Sequence, residues 1–120
     1  MRRARDSFVD FVVDQLSDVD SVECRAMFGG HGLYSNRAFF GIVHKDRLYF
    51  LTDESSRAAY VAQKMRPFRP TAKQTLANYY EVPADIVEDR HHLATWARAA
   101  IACQHRKAKR PARGLRTDTG

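Results

Sequence analysis

Cysteine is scarce in this 120-residue chain: Cys24 and Cys103 are the only two, far apart and outside any CxxC spacing. Such a pair makes neither a disulfide scaffold nor a thiolate metal knuckle, so both are read as reduced thiols. No apolar run approaches the roughly 20 residues needed to cross a bilayer. The basic start, Met1-Arg2-Arg3-Ala4-Arg5, leads into an amphipathic segment with acidic residues, not into an apolar signal core. The expectation is a cytoplasmic protein with no membrane partner. The body also lacks an excess of either charge. Of the formal +6, the last fifteen residues carry +5, and residues 1–105 hold 14 basic against 13 acidic side chains. The basic balance therefore belongs to a tail, residues 106–120, read as disordered from about residue 107. Its Arg106, Lys107, Lys109, Arg110, Arg113 and Arg116 are candidates for weak, non-specific contact with DNA.

Recognisable catalytic and metal patterns are missing as well. The five histidines, His31, His44, His91, His92 and His105, include no H-x-x-x-H pair on a helical segment, and no carboxylate joins them at ligand spacing. Neither cysteine sits in a nucleophile motif. Asp85, Glu88 and Asp89 cluster where a helix starts, and the helix dipole accounts for them. The chain is expected to be neither an enzyme nor a holder of metal or cofactor.

What is present is one domain of alternating patterns over residues 1–105. Phe8, Val12, Leu16 and Val19, widened by Val9 and Val13, predict a helix over 5–19. Asp6, Asp10, Asp14 and Asp18 form a solvated acidic stripe on it. Strands are predicted at 22–28, with Val22, Cys24, Ala26 and Phe28 on one face, at 38–44 and at 47–52. Connections as short as Lys45-Asp46 force antiparallel pairing. A helix follows from a Thr52 or Asp53 cap to about Lys64, with Ala58, Val61, Ala62 and Met65 inward. Pro67 and Pro70 bracket an extended piece around Phe68, and residues 74–82 read as a strand. Pro83 opens a helical turn ending near Glu88. The last helix has Leu93, Trp96, Ala97, Ala100 and Ile101 on its apolar face. Such an order gives an α+β, two-layer sandwich: an antiparallel sheet with helices on one face.

The most informative stretch is Arg25 to Tyr34. Gly29, Gly30 and Gly32 allow positive φ, a bulge or close backbone approach. The segment lacks the lysine and hydroxyl of a P-loop, and a bulged hairpin turn is the better reading. Arg25 and Met27 lie on the strand face opposite Cys24 and Phe28. Arg25 either clamps Glu81 or Asp46, or presents itself to a partner. The tyrosines and phenylalanines crowding the strands have few basic residues among them, which favours core packing over a nucleic-acid platform.

Four blocks carry a resemblance. Arg25-Ala26-Met27-Phe28-Gly29-Gly30-His31-Gly32-Leu33-Tyr34 resembles the R-x-M-F-G-G-x-G-L-Y signature of the TfoX/Sxy family's N-terminal domain. Asp46-Arg47-Leu48-Tyr49-Phe50, Tyr79-Tyr80-Glu81-Val82-Pro83 and Leu93-Ala94-Thr95-Trp96-Ala97 resemble its D-R-L-Y-L, Y-Y-E-V-P and L-x-x-W-A segments, in the same order. The resemblance implies a fold of α-β(3)-α-β(2)-α type. It also implies a role, since these proteins are positive co-regulators of transcription in natural competence. The expectation is a non-enzymatic regulatory or adaptor domain working through protein contacts, with transcription machinery as the candidate partner. Its partner surface is placed at Arg25, Met27, Gly29, Gly30 and Gly32. The alternatives are a small-ligand or metal pocket built from the Gly29–Gly32 turn with His31 and Tyr80, and a homodimeric scaffold.

Overall fold

The computed structural model describes residues 7–27 and 29–108. Phe28, on the expected first strand, and Lys109, Arg110, Arg113 and Arg116 of the expected tail lie outside those residues. Helix α1, Ser7–Gln15, buries Val9 and Val12. It ends before residue 19 because Ser17 and Val19 bond back three residues, to Asp14 and Leu16. The tighter turns still deliver Leu16 and Val19 into the core.

Strands β1 (Val22–Met27), β2 (Gly30–Ser35), β3 (Ala38–His44) and β4 (Arg47–Leu51) come next, then helix α2 (Glu54–Ala62). Strands β5 (Pro67–Thr71) and β6 (Gln74–Glu81) precede helices α3 (Ala84–Val87) and α4 (Arg90–Ala108). The class is α+β, as the sequence implied. Four strands precede α2 because the glycine-rich Gly30–Ser35 pairs on both sides as a strand of its own. The single sheet runs β1-β2-β3-β4-β6-β5, with every pairing antiparallel. Two two-residue loops, Asn36-Arg37 and Lys45-Asp46, have positive φ at both positions, the geometry that matches the twist of a tight hairpin.

The register sorts side chains into two faces, since residues paired across strands share a side. Cys24, Leu33, Gly41, Phe50 and Tyr80 form one row, and Arg25, Gly32, Ile42, Tyr49 and Glu81 the other. The first row is covered by helices. Tyr80 stands 6.0 Å from the ring of Tyr60 on α2, and Tyr60 stacks edge-on against Trp96 of α4 at 4.6 Å. A bulge adds to this side: Leu33 pairs with Gly41 while Tyr34 pairs with Phe39, so Phe40 is the extra residue. Phe40 turns inward and packs 5.7 Å from Phe50, both fully buried.

Two expectations need correcting. Ala58, Val61 and Ala62 of α2 are exposed, Val61 at 56 %, and Tyr60 is the buried residue. One large ring reaches α4 and β6 where three small side chains would not. The last helix also runs on to Ala108, so Arg106 and Lys107 are helical. Arg106 pairs with Asp53, the residue that caps α2.

Candidate partner-binding face

The second face of the sheet carries no helix row, and its side chains follow from β1 parity. Met27, Gly30 and His44 line one register row, with Arg25, Gly32 and Ile42 in the next and Glu23, Tyr34 and Phe39 beyond. Strand β2 offers glycine at two of these three positions, so the middle of the face is hollow. Each glycine has its own reason. Gly29 turns the chain with φ +75°, and a Cβ at Gly30 would lie 2.3 Å from the Val43 carbonyl oxygen. A Cβ at Gly32 would fall 2.9 Å from the Met27 Sδ and 3.0 Å from the Phe39 ring, because these side chains lean into the gap.

The hollow is roofed in part by the β5–β6 hairpin. Phe68 of β5 packs 4.6 Å from Tyr49 and 5.1 Å from His44. Register shifts on either side of Phe68 allow the hairpin to curl over the sheet. Between this hairpin and the β1–β2 turn opens a groove of about 510 Å³. Met27, Ile42, Phe68 and Leu76 supply its apolar lining, and His44 its titratable group. Burial, and then the charge of Lys45, lower the His44 pKa from 6.5, so its imidazole is neutral at physiological pH.

Around the groove stands an aromatic rim. Tyr34 and Phe39 are half-buried and 5.1 Å apart, and Phe39 meets Tyr79 at 5.6 Å. Burial, with Tyr34 second, pushes the Tyr79 phenol up to about 12, so it stays protonated. The Arg25 guanidinium lies 5.0 Å from the Tyr34 ring centre and 3.1 Å from Glu23. The clamp expected of Arg25 is made by Arg47 instead, which holds both Glu81 oxygens at 2.9 and 3.1 Å.

The structure thus gathers Arg25, Met27, Gly29, Gly30 and Gly32 on one face. Its contributions from His44, Phe68 and Leu76 were missed, because only the hairpin curl, a tertiary event, brings them there. The alternative pocket does not form as expected. His31 pairs with Ala26 and Val43 on the helix-covered side, and Tyr80 faces Tyr60 and Arg57. Among the described residues no three His, Cys, Asp or Glu side chains group as a metal site.

A second cleft, of about 450 Å³, lies where α2, β6 and α4 meet. Asp53 accepts from the Ser56 amide at 2.9 Å and from Arg106. Those two bonds hold its carboxyl well below the usual carboxylate range. Arg57 donates to the Thr52 hydroxyl at 3.1 Å and to the Asn78 carbonyl of its amide at 2.9 Å. Cys103 is buried beside Ser56, and burial pushes its thiol pKa up, which disfavours the nucleophilic thiolate. These polar groups satisfy one another and tie α4 to the start of α2.

The family model of the TfoX N-terminal domain matches residues 14–104. The chain belongs to the TfoX N-terminal domain family. Comparison with curated proteins gave no match. The family's glycine block therefore forms the turn and hollow floor of the open face. Its Y-Y-E-V-P block supplies Tyr79 to the rim, Tyr80 to the helix side and Glu81 to the Arg47 clamp. None of the described helices is long and apolar enough to cross a membrane.

Proposed function

We propose that this TfoX N-terminal domain is a non-enzymatic regulatory adaptor, acting through protein–protein contacts within the transcription-regulating role its family resemblance implies. The partner inserts one or two apolar side chains between the β5–β6 hairpin and the glycine turn. An acidic or carbonyl group flanking them meets Arg25 at the rim. One observation carries this reading: a hollow apolar groove with half-exposed Met27, Tyr34 and Phe39 beside it, on the side of the sheet opposite the helices. Apolar, aromatic and arginine groups with a polar border are the composition of protein-binding hot spots.

The test is affinity capture from native lysate with wild-type protein, Met27→Glu and Val61→Glu. Val61 is exposed on α2, away from the groove, and serves as the matched control. The expected result is one transcription-associated protein recovered with wild type and Val61→Glu, and recovered about tenfold less or not at all with Met27→Glu. Equal recovery with Met27→Glu overturns the placement.

The basic C-terminal residues add salt-dependent, non-specific attraction to DNA in this proposal. A truncation that tests it must begin after Ala108, because Arg106 belongs to the Asp53 clamp. DNA retention that vanishes with residues 109–120 supports the tail's part; retention that survives assigns it to the folded body.

A further inference from the structure

Charge is unevenly placed within the folded body. Residues 55–80 hold Arg57, Lys64, Arg66, Arg69 and Lys73 and no aspartate or glutamate, while the rest of residues 1–105 holds nine basic against thirteen acidic side chains. Lys64 and Arg66 lead into the β5–β6 hairpin, Arg69 lies on β5 and Lys73 at the turn, and all four are exposed. Elsewhere Arg25, Arg47, Arg90 and Arg106 each meet a carboxylate. Among the described residues the four hairpin cations meet none. Arg69 donates to the Ala72 carbonyl at 3.2 Å, within the hairpin itself.

Edge protection does not account for this pattern. Strand β5 is an edge of the sheet, and Pro67, Pro70 and two register shifts already blunt it against pairing. Charge of either sign serves that purpose, yet the hairpin carries one sign alone. Its two sides also differ. Phe68 and Leu76 pair and line the groove. Arg69 follows Phe68 and by strand alternation faces away from it. The exposed side chains beside the cations are Thr71, Ala72, Gln74 and Thr75. Guanidinium, ammonium, hydroxyl and amide groups without acid are the set that contacts phosphate oxygens. A platform for unpaired bases needs exposed rings, and a protein hot spot needs large apolar or aromatic anchors. The exposed residues from Arg66 to Thr75 offer neither.

We propose that the β5–β6 hairpin is a contact for duplex DNA, a basic two-stranded ribbon whose Arg66, Arg69 and Lys73 meet the phosphate backbone. A ribbon of two strands is of a width that the major groove admits. Contacts to phosphate position a protein without reading sequence, so this site holds the domain on DNA and does not choose the place. The groove lies on the inner side of the hairpin, which leaves the outer side free when a protein partner is bound. The inference therefore stands whether or not the groove takes one. The C-terminal basic residues add to the attraction through their charge; the hairpin supplies a fixed surface.

Fluorescence anisotropy on the full chain tests it, with a labelled duplex of about 20 base pairs titrated over a range of salt. The triple variant Arg66→Ala, Arg69→Ala, Lys73→Ala is compared with a charge-matched tail triple, Arg110→Ala, Arg113→Ala, Arg116→Ala. The hairpin triple is expected to bind about tenfold more weakly or worse and to flatten the logarithmic salt slope by about 2–3, while the tail triple loses no more than about threefold. Lys73→Glu, a single change at the turn, should cost about fivefold. Melting temperatures near that of wild type are expected throughout, since these hairpin positions are exposed. Equal losses from the two triples overturn the proposal, because net charge alone then decides binding. So does a wild type that does not bind the duplex, or a hairpin triple that binds it unchanged. Tighter binding to the single strand overturns it too, as does polyglutamate bound as tightly as the duplex, which assigns the surface to an acidic protein.

Discussion

The two faces of the sheet are made from the same strands yet solve different problems. On the helix side the centre of the sheet is filled: Leu33, Phe40, Phe50 and Leu48 are fully buried, and even Gly41 lies with its Cβ position 3.1 Å from Phe50. On the other side two glycines hollow the middle strand, and a hairpin covers part of the gap. Close packing gives stability on the first face. Missing side chains give a cavity on the second, which a stable core would not tolerate unless the neighbouring backbone were held by other means. Here the holding is done from beneath, by the helix-side packing of the same strands.

The comparison breaks first where the packed face is cut. Phe50→Ala removes a fully buried ring between Phe40 and Gly41 and is expected to cost roughly 3–5 kcal/mol, seen as a large loss in denaturant midpoint with the slope unchanged. Gly30→Ala follows. Its methyl would meet the Val43 carbonyl oxygen at 2.3 Å, which is backbone and cannot rotate away, so strands β2 and β3 must separate, at about 2–3 kcal/mol. Gly32→Ala meets side chains, the Met27 Sδ and the Phe39 ring, which can move. About 1 kcal/mol is expected there. A Gly32 variant as costly as the Gly30 one would mean that the open face is packed as rigidly as the other.

The same asymmetry explains how much the sequence disclosed. The packed face was legible, because Val12, Leu16, Leu93, Ala97 and Ala100 recur at helical spacing and strand alternation marks the rest. So were Arg25 and Met27 on the far face, by parity alone. What β2 would do was less legible, since glycine carries no hydropathy signal and a paired Gly-His-Gly looks like a turn. The groove was illegible for another reason. Phe68 and His44 are 24 residues apart and on strands that are not neighbours; only the register shifts in β5 bring their rings to 5.1 Å. On α2 the spacing of Ala58, Val61 and Ala62 misled, because one Tyr60 ring outweighs three small residues in area buried.

The open face also titrates. The His44 pKa is lowered by burial and by Lys45, so the unfolded chain binds the proton more readily than the folded one. Stability is therefore complete above the ordinary value of 6.5 and falls as pH drops below it toward the folded value. Melting temperature should decline between pH 7.5 and about pH 5, and His44→Gln should remove part of that decline while leaving the neutral-pH value nearly unchanged. An identical pH profile for the variant would show that His44 is solvated in the groove and that the hairpin roof is open.

The smallest effect belongs to the hairpin loops, which serve both faces equally. Asn36 and Arg37 have φ of 50° and 74°, and arginine at the second position holds a left-handed conformation that favours glycine. Arg37→Gly converts the loop to the Asn-Gly pair preferred in this turn. The relief of strain exceeds the added freedom of the unfolded chain, giving a gain of about 0.5–1 kcal/mol and a rise of a few degrees in melting temperature. Arg37→Ala keeps the Cβ penalty and serves as the control. If glycine stabilises and alanine does not, the loop is limited by backbone strain. Groove binding should not change, because the substitution lies at the end of the sheet and alters no side chain on either face. Equal gains from both variants would instead implicate the arginine charge, close to the basic end of α4.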